Sequence, residues 1–164
     1  MALITEEMKA KADQFYEGDE ICQEKSKFLL QEVALPRGLL PLKDIIECGY
    51  VEETGFVWLK QKQKVEHVFE KIGRKVSYAP VITAYVEQSK IKKLTGVKAK
   101  ELLIWLTLDE ITAVDDSKIT FKTSAGLYKT FPRSAFELEE DDEKKQQKVA
   151  PQAPEQASQV VSNN

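Results

Sequence analysis

Residues 45–87 read IIECGYVEETGFVWLKQKQKVEHVFEKIGRKVSYAPVITAYVE, and this stretch decides the fold. Runs rich in Val, Ile, Phe, Tyr and Trp, at Ile45 to Val51, Phe56 to Gln61, Lys64 to Lys71, Val76 to Tyr78 and Val81 to Glu87, have strand length and composition. The links between them, Glu52-Glu53-Thr54-Gly55 and Ile72-Gly73-Arg74, are too short for a crossover helix. Neighbouring strands must therefore run antiparallel. Further strands are expected at Leu102 to Val114, Ile119 to Thr123 and Leu127 to Phe131, with Asp115-Asp116-Ser117-Lys118 as a hairpin tip. In Leu102 to Leu108 both alternating faces are apolar, the pattern of a strand covered on both sides or lining a barrel.

Upstream, Glu6 to about Tyr16 is rich in good helix formers, and Gly18 and Asp19 interrupt it. A second helix is expected from Glu20 to about Val33, capped by Asp19, with Cys22, Leu29 and Val33 forming a stripe against the sheet. The apolar, Pro-rich segment Leu35 to Leu42 suits a packed connector. The expected architecture is mainly β: an antiparallel, partly closed barrel or sandwich with one or two N-terminal helices packed on it. Residues 1–136 form one domain, with helices in 5–34 and the β body in 43–136. Residues 137–164, acidic and then rich in Pro, Gln, Ala and Ser, read as a disordered tail.

The 164 residues hold 24 Lys and Arg against 27 Asp and Glu, a net charge of -3. Seven carboxylates and three lysines of the tail account for the acidity, leaving 21 bases and 20 acids in the body. A bulk basic excess of the kind that drives non-specific DNA binding is absent, so any phosphate recognition must be local. The charged opening residues lack the apolar run of a secretory leader, and no stretch has the roughly 18 apolar residues of a membrane span. The expected location is cytoplasmic, at most peripheral to an internal membrane.

Enzymatic signatures are sparse. There is no GxSxG elbow around any serine, and one histidine, His67, shares an alternate face with Val65 and Phe69. That environment favours a structural histidine over a general base. Cys22 and Cys48 lie in apolar contexts without CxxC spacing and read as buried, inert thiols rather than members of a Cys-His dyad. Neither a metal-ligand spacing nor a nucleotide-binding glycine loop is present, so no metal and no cofactor is expected.

Charge is uneven in one place. Ser89 to Lys100 carries Lys90, Lys92, Lys93, Lys98 and Lys100 with no acid, interleaved with Ile91, Leu94 and Val97. Ammonium groups around protruding aliphatics suit an anionic lipid surface, or the head group of a small amphipathic ligand. Lys60, Lys62, Lys64, Arg74 and Lys75 form a second set that would extend the patch if the strands bring them together. The alternative is a lysine-rich hairpin or loop whose aliphatics pack inward while its amines are solvated.

The runs Gly38 to Asp44 (GLLPLKD), Glu53 to Gln61 (ETGFVWLKQ), Ile91 to Trp105 (IKKLTGVKAKELLIW) and Thr130-Phe131-Pro132 closely resemble the plant proteins grouped as domain of unknown function 538. The resemblance spans nearly all of residues 5–136 and is strongest to the branch containing the trichome protein Smaller with Variable Branches. It implies a mostly β fold and roles in trichome development and in stress or nutrient responses. For activity it implies either lipid binding of the bactericidal/permeability-increasing type or hydrolysis of a chlorophyll ester, and it assigns no catalytic residue. The leading expectation is a non-enzymatic module binding anionic lipid, phosphoinositide-like, or a small apolar ligand. The alternatives are a small esterase with His67 as base, and a protein-interaction scaffold using the tail.

Overall fold

The computed structural model describes residues 4–138. Nine strands form one antiparallel sheet: β1 (Gln14–Glu17), β2 (Ile45–Val51), β3 (Phe56–Gln61), β4 (Val65–Phe69), β5 (Arg74–Glu87), β6 (Lys90–Glu101), β7 (Ile104–Ala113), β8 (Lys118–Thr123) and β9 (Tyr128–Pro132). Helices α1 (Glu6–Lys11) and α2 (Asp19–Glu32) precede or interrupt the early strands, and a 3-10 turn (Arg133–Phe136) follows β9. The sheet runs β1-β2-β3-β5-β6-β7-β8-β9, with β4 added to β5. It curls without closing, which is the partly closed form of the expected architecture rather than a sandwich. The tail expectation lies almost wholly outside the described residues.

The two long strands β5 and β6 hold the molecule together. The first half of β5 pairs with β4 (Val65↔Tyr78 to Phe69↔Arg74) and the second half with β3 (Phe56↔Tyr85 to Lys60↔Val81). Ala79 and Pro80, between the halves, bond to neither neighbour in register. On the facing strand, Lys93 (φ 50°) and Gly96 (φ 86°) interrupt the ladder with bulges. A Cβ on Gly96 would lie 2.6 Å from the Val81 carbonyl oxygen, so the ribbon bends where only glycine fits.

The bend divides the sheet into two halves. In the first, α2 covers the inner face of β1, β2, β3 and the end of β5, with Cys22 and Leu30 buried against Cys48, Val57, Leu59 and Ile82. In the second, β4 to β9 curl until their two edges approach. There the Phe136 ring meets Phe69 of β4 at 4.9 Å and Phe121 of β8 at 5.1 Å. The connector spans both halves: Leu35, Leu39 and Leu42 are buried, the Leu39 carbonyl accepts the buried Tyr78 hydroxyl at 2.9 Å, and Gly38 N–H donates to the Phe136 carbonyl.

The outer face of β2 and β3 has its own small core. Trp58 is fully buried, flanked by Phe15 and Phe56, each with ring centroids 6.1 Å away. Its indole N–H donates to Glu47 Oε2 at 3.0 Å, and Lys9 of α1 reaches Glu47 Oε1 at 3.4 Å. The carboxylate, only 5% exposed, thus has both a donor and a counter-charge, which burial of an acid requires.

Several expected boundaries shift. The first helix ends at Lys11, and Gln14–Glu17 is a strand instead, because its Phe15 and Tyr16 alternate between the two faces of the sheet. Asp19 does not cap α2; Gly18 does, and Asp19 Oδ1 accepts the Ile45 N–H at 2.9 Å, tying the helix start to β2. Lys90–Glu101 is a strand, with Ser89 in the turn before it, and the expected strand start at Leu102-Leu103 is a turn. Asp115 does form a hairpin tip, its Oδ1 accepting from the backbone N–H of Ser117 and of Lys118.

Gly49 tests the outer core. A Cβ there would sit 2.1 Å from the Trp58 ring. Gly49→Ala is expected to cost about 1–3 kcal/mol through overpacking, read by urea denaturation, with Trp58 emission shifting red as its ring is displaced. Unchanged stability would contradict the close packing.

Candidate functional site

β6 places its lysines on the outer face and its aliphatics inside. Ile91, Leu94 and Val97 are buried in the core, so they do not protrude toward a membrane as the sequence pattern allowed. The bulge at Lys93 is what keeps Leu94 in register with the interior. A strand of 12 residues spans roughly 35 Å at 3.3 Å per residue, and the five lysines therefore divide between its two ends.

At the β5–β6 turn, Lys90 pairs with Glu110 (3.6 Å), Lys92 with Glu87 (3.2 Å), and Lys93 lies over the Tyr85 ring (5.5 Å). At the opposite end, Lys98 is exposed opposite Ser77 and Thr107, and Lys100 lies 5.8 Å from the Trp105 ring centroid. The second basic set is likewise split. Lys60 faces the outside of β3, and Lys62 and Lys64 flank the β3–β4 turn. Lys64 and Lys75 share Glu66 at 3.2 and 3.7 Å, holding its carboxyl below the usual range, chiefly through the Lys64 hydrogen bond. Arg74 pairs with Glu101 at 2.7 Å, and its hydrogen bond is the main cause of that carboxyl's lowered pKa. Lys75, Lys98 and Lys100 thus share the outer face near one end, with Arg74 at the same end; Lys90, Lys92 and Lys93 stand apart.

What adjoins Lys98 and Lys100 is a feature the sequence pattern concealed. Glu101 pairs with Ile104, so Leu102-Leu103 forms a two-residue hairpin turn. Leu102 is 87% exposed with φ 58°, a backbone region that favours Gly or Asn, and Leu103 is 93% exposed. Ile104 and Trp105 continue the apolar surface into β7. The β8–β9 turn lies beside it, since Ser124 N–H donates to the Thr107 carbonyl at 2.9 Å, and carries the exposed Leu127, with the exposed Tyr128 opening β9. In the sequence, Leu102-Leu103 continues into Ile104-Trp105-Leu106 without a polar break, which hid the turn. The alternation of Lys98 and Lys100 with Val97 and Ala99 is the signal that could have revealed the preceding strand.

The remaining candidates lie elsewhere. His67, on β4 opposite Val76, packs its ring edge-on to Phe69 at 4.6 Å. Burial lowers its pKa, with help from Lys43 and against Glu70. Cys22 and Cys48 are buried, the Cys22 thiol donating to the Tyr16 carbonyl at 3.5 Å, and burial raises the pKa of both thiols. They meet between α2 and β2, in the half of the sheet that β4 does not join.

The His67 shift fixes a pH dependence. Its native form binds protons less readily than the unfolded chain, so stability is full above the ordinary imidazole value near 6.5 and falls as pH drops through it. Between pH 7 and 5.5, wild-type stability is expected to decline, and His67→Asn to show a flatter profile by urea denaturation. Parallel profiles would contradict this assignment.

The family described as Protein of unknown function, DUF538, matches residues 26–137, which runs from within α2 through every later strand to the end of the 3-10 turn. No curated protein and no solved structure matches the chain. Among the described residues, no helix is long and apolar enough to cross a membrane. The matched segment contains the β5–β6 ribbon, the Leu102-Leu103 turn and the lysines beside it, and by that match the chain belongs to the DUF538 family.

Proposed function

We propose that the protein is a non-enzymatic module that docks on anionic membrane lipid through the end of the sheet carrying the β6–β7 turn. The observation that carries this reading is the pair Leu102 and Leu103, 87% and 93% exposed at a hairpin tip, beside Lys98 and Lys100. A tight turn in water is ordinarily polar; here two leucines occupy it, one in a backbone conformation that costs a non-glycine residue about 1–2 kcal/mol. Entry into the interfacial region of a bilayer removes that apolar surface from water, worth about 1.5–3 kcal/mol per fully buried leucine. Each nearby lysine adds about 1 kcal/mol against phosphoinositide or phosphatidylserine head groups. Trp105, with Lys100 over its ring, suits the boundary between head groups and chains. The trichome and stress roles implied by the family resemblance fit a protein recruited to internal membranes in this way.

Liposome flotation tests the docking surface. Leu102→Gly with Leu103→Asn places a favoured turn sequence at the tip, and is expected to leave or raise thermal stability while reducing flotation with anionic vesicles by at least tenfold. Lys98→Glu with Lys100→Glu is expected to reduce it similarly. Lys90→Glu with Lys92→Glu, at the far end, is expected to leave it unchanged. Flotation indifferent to the first two pairs would overturn the reading.

A further inference from the structure

The curled half of the sheet encloses an apolar cavity. Val76, Ala99, Leu106, Phe121, Phe131 and Phe136 are among its walls, and its space amounts to about 510 Å³ counted out to its open mouth. Two cations also line it, Arg74 and Lys129, against the single carboxylate Glu101, while Lys100 joins the lining from β6 with its amine over Trp105 on the outer face. Arg74 and Lys129 both pair with Glu101, at 2.7 and 3.8 Å, and Arg74 lies over the Phe131 ring at 5.5 Å. All of these groups are partly exposed, and they stand where β5 begins, β6 ends and β9 begins. This is the same end of the sheet as the Leu102-Leu103 turn.

We infer that this cavity takes the chain of a single-tailed anionic amphiphile, a long-chain carboxylate, whose head group pairs with Arg74 and Lys129 at the mouth. The charge balance there supports an anion: two cations share one acid, so a second carboxylate meets an excess of positive charge. Apart from Thr123, whose hydroxyl is engaged by the Leu127 N–H, the walls supply apolar contact to the tail, and the mouth lies beside the surface that meets the bilayer, where such amphiphiles reside. The inference rests on the docking reading for the source of the ligand, and on the cavity alone for its binding.

A second cleft, between α2 and the sheet, is larger at about 690 Å³ counted to its mouth and is lined by Leu29, Val33, Ala84 and Lys25 among others. Its rim is less suited to an anion: Tyr50, which also lines it, has Asp13 and Glu52 near enough that both carboxylates raise the phenol's pKa, though burial raises it most.

The test is fluorescence titration of the full chain with cis-parinaric acid in membrane-free buffer, with palmitate as competitor. Saturable, palmitate-displaced binding is expected. Ala99→Leu, which fills the cavity, is expected to weaken it at least tenfold while leaving liposome flotation intact, and Ala84→Leu, in the other cleft, to leave it unchanged. Arg74→Gln, at the partly exposed mouth, is expected to weaken the acid severalfold but not the corresponding fluorescent alcohol. Each variant's fold is checked by circular dichroism. Absence of saturable binding, or loss through Ala84→Leu but not Ala99→Leu, would overturn the inference. Binding sensitive to Ala99→Leu in a protein that fails to float would uphold the cavity and overturn only the docking surface.

Discussion

The bend in the β5–β6 ribbon governs the rest of the molecule. A straight pair of strands 14 and 12 residues long would carry one flat sheet, with β3 and β4 competing for the same edge of β5. Because the ladder breaks at Ala79-Pro80 and at Lys93 and Gly96, the two halves of β5 take different partners and the sheet turns inward. Proline withholds a ladder donor at that point, and the Gly96 backbone approaches the Val81 carbonyl too closely for any side chain. One half is then closed by α2, the other by the connector and the 3-10 turn, whose Phe136 bridges β4 and β8.

The same geometry separates two kinds of lysine that look alike in the chain. At the β5–β6 turn the amines stand opposite Glu87 and Glu110, so their charge is largely answered within the protein. At the far end Lys98 and Lys100 border exposed leucines and a tryptophan. Exposed ion pairs contribute little to stability; their importance here is that they decide which cations retain an unanswered field. An apolar tip flanked on one side by such cations suits an interface that is greasy inside and negative outside, whereas lysines alone would suit any polyanion.

Much of the fold was legible because the physics that writes it is local. Ile45–Val51 and Phe56–Gln61 match expectation to the residue, since each is a dense β-branched and aromatic run bounded by a polar turn. The buried connector was legible from its leucines and prolines. Three readings failed where tertiary context overrides composition. Gln14–Glu17 carries residues that tolerate a helix, yet pairing with β2 makes it a strand. Asp19 has the chemistry of a cap, but its carboxylate serves the Ile45 amide instead. Leu102-Leu103 has the composition of a strand core and sits in a turn, the opposite of turn chemistry. Local disagreement of that kind concentrates at functional sites, and it is where the candidate site lies. The lysine run is visible in the sequence; the tip that adjoins Lys98 and Lys100 is not, because only the register of β6 against β7 reveals it.

Trp105 reports most directly on whether that tip meets lipid, since Trp58 is buried on another part of the sheet and serves as an internal reference. The measurement is quenching of tryptophan emission by brominated acyl chains in phosphatidylserine or phosphoinositide vesicles. The account predicts a blue shift and partial quenching, lost in Trp105→Phe and absent with neutral vesicles. Emission unaltered by anionic vesicles at concentrations where the protein floats with them would contradict it, because the protein would then be held by some other surface.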